Sequence, residues 1–184
     1  MGVMQHKEMW TTIADEATLE SPLWGTALRS PGAREEEVVF SPLADETYAL
    51  GLETIYEGYL LHYGRSRLFA PVDRDTAVLL GDYLYAHGLV RIAVVGDVAV
   101  VGDLSELISL CARVRAEHDP AAVVDGVAWA ATAAALGRSN GVLEAARASL
   151  RDAGEHGPLE RLARSIAGDA PTDRALGLHA DRVL

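Results

Sequence analysis

The feature that most constrains this chain is the regular punctuation that recurs along it, where cap residues, prolines and glycines mark out one helix-length segment after another. Ser41-Pro42 supplies a cap and a first-turn proline, Asp45 and Glu46 favour the positive end of a helix dipole, and Gly64 can end the segment. Within it Tyr48, Leu52, Ile55, Tyr59 and His62 share one stripe at helical spacing. Asp73 is positioned to cap a second helix that runs to about Val95, with Gly96-Asp97 as stop and new cap. A third helix starts at Asp97 or at Asp103, and Leu104, Leu107, Ile108, Cys111 and Val114 form its buried face. Asp119-Pro120 opens an alanine-rich helix ending at Gly137. Asn140 caps one ending near Gly154, Gly157-Pro158 opens one ending at Gly168, and Thr172 starts a final short one.

The expected fold is therefore all-α, an orthogonal or antiparallel bundle of about seven or eight helices. Residues 4–20 read as helix. Residues 21–41, with three prolines and the acidic run Glu35-Glu36-Glu37, read as a long surface loop. This divides the chain into an N-terminal helix and loop, 1–41, and a helical core, 42–184, within one domain. A rival reading concerns Val90 to Val101, where Val94-Val95-Gly96-Asp97 is echoed by Val100-Val101-Gly102-Asp103 and could form a β-hairpin. A lone hairpin among helices has little to pack against.

Charge and cysteine content narrow the function classes. Sixteen Lys and Arg stand against 27 Asp and Glu, and a formal charge of −11 opposes a phosphate backbone, so nucleic-acid binding is not expected. The lone Cys111 lies in an apolar run, as a buried thiol in a reducing compartment would. The first ten residues lack the pattern of a signal peptide, and Arg91, Asp97 and Asp103 interrupt the most apolar region, so a cytoplasmic chain that is not an integral membrane protein is expected.

Gly51 and Gly58 sit on the first strong helix with the same spacing as Gly81 and Gly88 on the second. Each glycine costs about 1 kcal/mol relative to alanine in a helix interior, so four of them need a reason. Close helix approach is one, and a ligand channel is the other.

Leu79-Leu80-Gly81-Asp82-Tyr83-Leu84-Tyr85-Ala86, followed by Gly96-Asp97 and then Leu104 to Glu117, resembles the Gly-Asp helix and its successor in trans-polyprenyl diphosphate synthases, most closely their small non-catalytic subunits. Upstream, Tyr63-Gly64-Arg65-Ser66-Arg67-Leu68 is similar to the Gly-Gly-Lys-Arg-Leu-Arg-Pro segment that grips a diphosphate in catalytic members. Here Tyr63 replaces the first glycine, Arg65 replaces the lysine, and Pro71 comes late. The resemblance covers Leu43 to Glu117 and implies a truncated isoprenoid-synthase-like fold. It makes Arg65 and Arg67 candidate diphosphate contacts, and Gly81, Asp82, Tyr85 and Gly88, with Leu84 behind them, a partner interface.

Catalytic members hold magnesium between two Asp-Asp-x-x-Asp clusters, since hard divalent cations need several carboxylates beside the substrate phosphates. This sequence has neither cluster. The resemblance thus implies a chain with no catalytic residue, no metal ligand and no cofactor of its own, serving a catalytic prenyl diphosphate synthase subunit that carries the magnesium in isoprenoid quinone side-chain synthesis. Two alternatives stand beside it. One is a free-standing helical adaptor or homodimer. The other is a helical metal-dependent phosphohydrolase built on His118-Asp119, with His62 or His87 upstream and Asp125 or Asp152 downstream. Asp82 itself either meets a partner or pairs internally, with Arg91 or Arg65.

Overall fold

The computed structural model describes residues 2–117, 121–138 and 141–183. Among these are nine α-helices and no strands: α1 Gly2–Glu20, α2 Pro22–Ala27, α3 Ala49–Tyr63, α4 Arg74–Val95, α5 Val98–Glu117, α6 Ala121–Ala135, α7 Gly141–Ala153, α8 Gly157–Ala167 and α9 Asp169–Ala180. Only isolated bridges, Leu28 to Phe69 and Gly64 to Val183, join extended segments. The all-α expectation holds, and the Val90–Val101 hairpin does not form. Gly96 takes φ +89 and closes α4 in the left-handed conformation, and Asp97 Oδ1 accepts from Val100 N at 3.1 Å in the first turn of α5.

Most stops fall where glycine permits a positive φ: Gly137, Gly154 and Gly168 end α6, α7 and α8. Asp119 and Asn140, the expected caps of α6 and α7, lie outside the described residues. Three starts differ. Ser41-Pro42 opens a single 3-10 turn, Ser41–Leu43, because the Ser41 amide is drawn onto the buried Glu53 carboxylate instead of starting a helix. Asp45 then caps a second such turn, Glu46–Tyr48, through Thr47 N at 2.9 Å, and α3 begins only at Ala49. Within residues 21–41, Ser21 caps the short α2, with Pro22 in its first turn. Thr172 lies inside α9, where its hydroxyl donates to Gly168 O at 2.7 Å.

The middle of α3 is buried all round, from Gly51 to Leu61. On one side Phe40, Tyr56 and Trp129 meet edge-on and stacked, with centroids 5.0 to 5.5 Å apart. On another, Trp10, Ile13 and Ala17 of α1 pack with Leu61, Leu68, Leu80 and Leu84. Trp10 Nε1 also donates to Glu36 O at 2.9 Å, and Glu37 pairs with Arg174 of α9 at 3.1 Å. The acidic run therefore ties the N-terminal segment to the C-terminal helix.

Candidate functional site

The four glycines meet where α3 crosses α4. A Cβ on Gly58 would stand 2.8 Å from Gly81 O, and one on Gly88 2.4 Å from Ile55 Cγ1 and 3.0 Å from Gly51 O. One on Gly81 would stand 2.6 Å from His62 Nε2. Backbone thus packs against backbone, which is the close-approach reading. Of the residues expected at a partner interface, Gly81 and Gly88 are buried against α3, and Leu84 is buried in the cluster with Trp10 and Ile13 of α1 and Leu61 of α3. Tyr85 is half-buried and stacks on His62, with centroids 5.1 Å apart. Asp82 is exposed, and its Oδ1 lies 3.1 Å from His62 Nε2, a partner that is neither Arg91 nor Arg65.

The opposite face of α4 is a different surface. Leu79, Ala86, Val90 and Val94 follow one another at helical spacing and are all exposed, Val94 by 82%. Val95 and Val98 continue the stripe around the Gly96 corner, Val98 by 83%. Tyr83 and Trp24 of α2 stack beside it, with centroids 6.1 Å apart. Among the described residues α4 alone is long and apolar enough, by length and composition, to cross a membrane, and 28% of that stretch is buried. Its rim is acidic, with Asp75, Asp82 and Glu20 exposed. Scattered exposed hydrophobics are ordinary, but a contiguous apolar stripe rimmed by polar residues is how interaction surfaces look.

Arg65 and Arg67 have opposite fates. Arg67 is 0% exposed, so it is unavailable to a diphosphate. Its Nε donates to Glu57 Oε2 at 2.9 Å and its Nη1 to Glu53 Oε2 at 2.6 Å, and its guanidinium lies 4.4 Å from the centroid of the Trp10 ring. The other Glu53 oxygen accepts from Val39 N and Ser41 N at 3.1 Å, and that of Glu57 from Leu68 N at 2.8 Å and from the Ser66 hydroxyl. Two buried carboxylates around one arginine, with every oxygen occupied, fasten residues 37–41 and 66–68 to α3. Neither Glu53 nor Glu57 is among the residues that the sequence marks as a candidate site. The available signal was their i, i+4 spacing inside the apolar run Leu52 to Leu61, with arginines just beyond it. Arg65 is half-exposed and pairs with Glu35. It lines a cleft of about 370 Å³ with Arg29 and Arg74.

A second buried cluster joins α3, α5 and α6. Asp125 Oδ2 accepts from the Tyr59 hydroxyl at 2.7 Å and from Arg115 Nε, and Arg115 Nη2 donates to the Tyr59 oxygen at 2.7 Å. Burial raises the Asp125 carboxyl, and Tyr59 and Arg115 offset this only in part. Burial, reinforced by Asp125, also pushes the Cys111 thiol well up, so it stays a protonated core residue. His87 pairs with Glu16 at 2.5 Å, and Asp152 is exposed at the end of α7. The residues grouped around a hydrolase metal are thus spread apart: Asp125 is committed to Tyr59 and Arg115, His62 faces Asp82, and His118 and Asp119 lie outside the described residues. Among the described residues no three His, Cys, Asp or Glu side chains gather as a metal would require.

No family model, curated protein or solved structure matches this chain.

Proposed function

We propose that this chain is a non-catalytic subunit that docks a helical partner on the outer face of α4. The observation that carries this reading is the exposed stripe Leu79, Ala86, Val90 and Val94, continued by Val98. Its chemistry selects the occupant: an amphipathic helix with an apolar face and a basic rim, to meet Asp75, Asp82 and Glu20. A second copy of this chain would bring a formal charge of −11 against another −11, which disfavours self-association. Following the resemblance of the Leu79–Ala86 helix, the partner is a catalytic prenyl diphosphate synthase subunit with both aspartate clusters. That subunit binds the magnesium, in the cytoplasm, for isoprenoid quinone side-chain synthesis. The contact residues differ from those first expected, since Asp82 stays in the interface while Leu79, Val90 and Val94 take the place of Gly81, Leu84 and Gly88.

The test is purification from native extract with identification of what co-elutes, followed by reconstitution. Recovery of a prenyl synthase whose product length changes when this chain is added supports the reading, provided Val90→Glu with Val94→Glu abolishes both effects. Recovery of a homodimer, or of a complex that the double variant leaves intact, overturns it.

A further inference from the structure

Twice in its interior the chain lays a guanidinium across a pair of aromatic rings and beside a carboxylate. Arg67 lies 4.4 Å from the centroid of Trp10 and 5.0 Å from that of Tyr56, with Glu53 and Glu57 as its acids. Arg115 lies 5.8 and 5.5 Å from Tyr59 and Tyr63, whose centroids are 5.3 Å apart, with Asp125 as its acid. The negative face of an aromatic ring attracts a cation within about 6 Å, and a planar guanidinium can also stack on it.

A third ring pair of this kind stands at the surface. Trp24 of α2 and Tyr83 of α4 have centroids 6.1 Å apart, and each is half-buried, so part of each ring meets water. Two carboxylates from the last turns of α1 adjoin the pair: burial, then Glu20 and Glu16, push the Tyr83 hydroxyl above its ordinary value. Their commitments differ. Glu16 Oε2 takes both His87 Nε2 and Arg91 Nη2, and the His87 ring stacks on Tyr83 with centroids 5.3 Å apart. Glu20 is exposed and pairs with no basic side chain among the described residues. Leu19 and Leu23, its near neighbours in the chain, are also exposed, Leu19 by 84%. The corner between α1 and α2 thus sets apolar and aromatic surface and one uncommitted negative charge beside the stripe of α4.

We propose that this corner anchors the helical partner through an arginine whose guanidinium lies across Trp24 and Tyr83 and whose charge meets Glu20. The identity of the partner rests on docking at α4, whereas the cation site can be tested without it. The anchor supplies what the stripe lacks, since an apolar stripe alone accepts a helix in either direction and at several registers. Arginine fits better than lysine, because a guanidinium stacks on a ring while donating to a carboxylate in its own plane, and an ammonium is more strongly hydrated.

The experiment titrates N-acetyl-arginine amide, at millimolar concentration, into the full chain, with the Trp24 indole resonance followed by NMR and assigned by Trp24→Phe. The buried Trp10 and Trp129 are internal references. The arginine probe should shift the Trp24 signal saturably, and the uncharged citrulline analogue should bind at least roughly fivefold more weakly. Glu20→Gln should weaken the arginine probe roughly two- to fivefold, whereas Glu8→Gln, about three turns away on α1, should leave it unchanged. In the reconstituted complex, Trp24→Leu with Glu20→Gln should raise Kd roughly tenfold. No movement of Trp24, equal affinity for arginine and citrulline, or equal weakening by Glu20→Gln and Glu8→Gln would each overturn the anchor. An unchanged Kd in a complex that Val90→Glu with Val94→Glu abolishes would overturn it too, and would leave docking on α4 standing. Circular dichroism of every variant separates lost binding from lost fold.

Discussion

Replacing Gly58 with alanine adds one methyl group at the crossing of α3 and α4, and the structure fixes the sign of the result. The new carbon would lie 2.8 Å from Gly81 O and 3.2 Å from Tyr85 N. Both are backbone atoms that cannot rotate aside, so the two helices must separate. Overpacking of this kind costs about 1–3 kcal/mol, against a gain of about 1 kcal/mol in helix propensity. A net loss of up to about 2 kcal/mol follows, and for a chain of this size each kcal/mol lowers Tm by about 2–4 °C. The control is Gly102→Ala on α5, where a Cβ meets nothing within 4 Å. The same chemistry there should stabilise by roughly 0.5–1 kcal/mol. Urea unfolding of both variants at one temperature measures the pair. If Gly58→Ala matches or exceeds the parent while Gly102→Ala is neutral, the glycines are not holding the helices together, and a channel between α3 and α4 becomes the better account.

Arg67→Met should cost about 3–5 kcal/mol in urea unfolding, because it leaves Glu53 and Glu57 buried without their counter-ion. Arg67→Lys should not restore the loss, since a single ammonium cannot reproduce the forked contact with two carboxylates, and a loss below about 1 kcal/mol would refute this. Asp73 is held below its ordinary value of 3.8 by its bond to Thr76 N. The parent's advantage over Asp73→Ala should therefore be full above pH 3.8 and drain as pH falls through the lower native value, read from unfolding midpoints against pH. Val90→Glu with Val94→Glu should leave Tm within about 2 °C of the parent, because both side chains already face water, and a larger fall would mean that the stripe serves the chain's own fold.

The helix ends were legible because a positive φ is a backbone requirement that glycine meets at little cost, and Gly96, Gly137, Gly154 and Gly168 all take one. The start of α3 was not, because Ser41-Pro42 has the local chemistry of a cap while a long-range bond from Ser41 N to Glu53 decides its geometry. The same limit hid the buried acids. A glutamate in a helix reads as a solvent-facing residue, and only the arrival of Arg67 from outside α3 makes it tolerable inside. Arg65 and Arg67 illustrate the point further: two arginines one residue apart, one spent in the core and the other half-exposed beside a cleft.

The spacing of the glycines identified which helices touch, but left open which side of α4 does the touching. Apolar residues occur all round that helix, so periodicity alone could not separate its inner face from its outer one. The corner after it supplies the asymmetry. An exposed turn between two helices is ordinarily polar, yet Val94, Val95 and Val98 surround Gly96 and face outward. Nothing in the packing of α4 on α3 needs them, since Ile92 and Val100 already fill the core at this end. Their exposure carries a solvation cost that the isolated chain does not recover, and a bound partner helix would recover it.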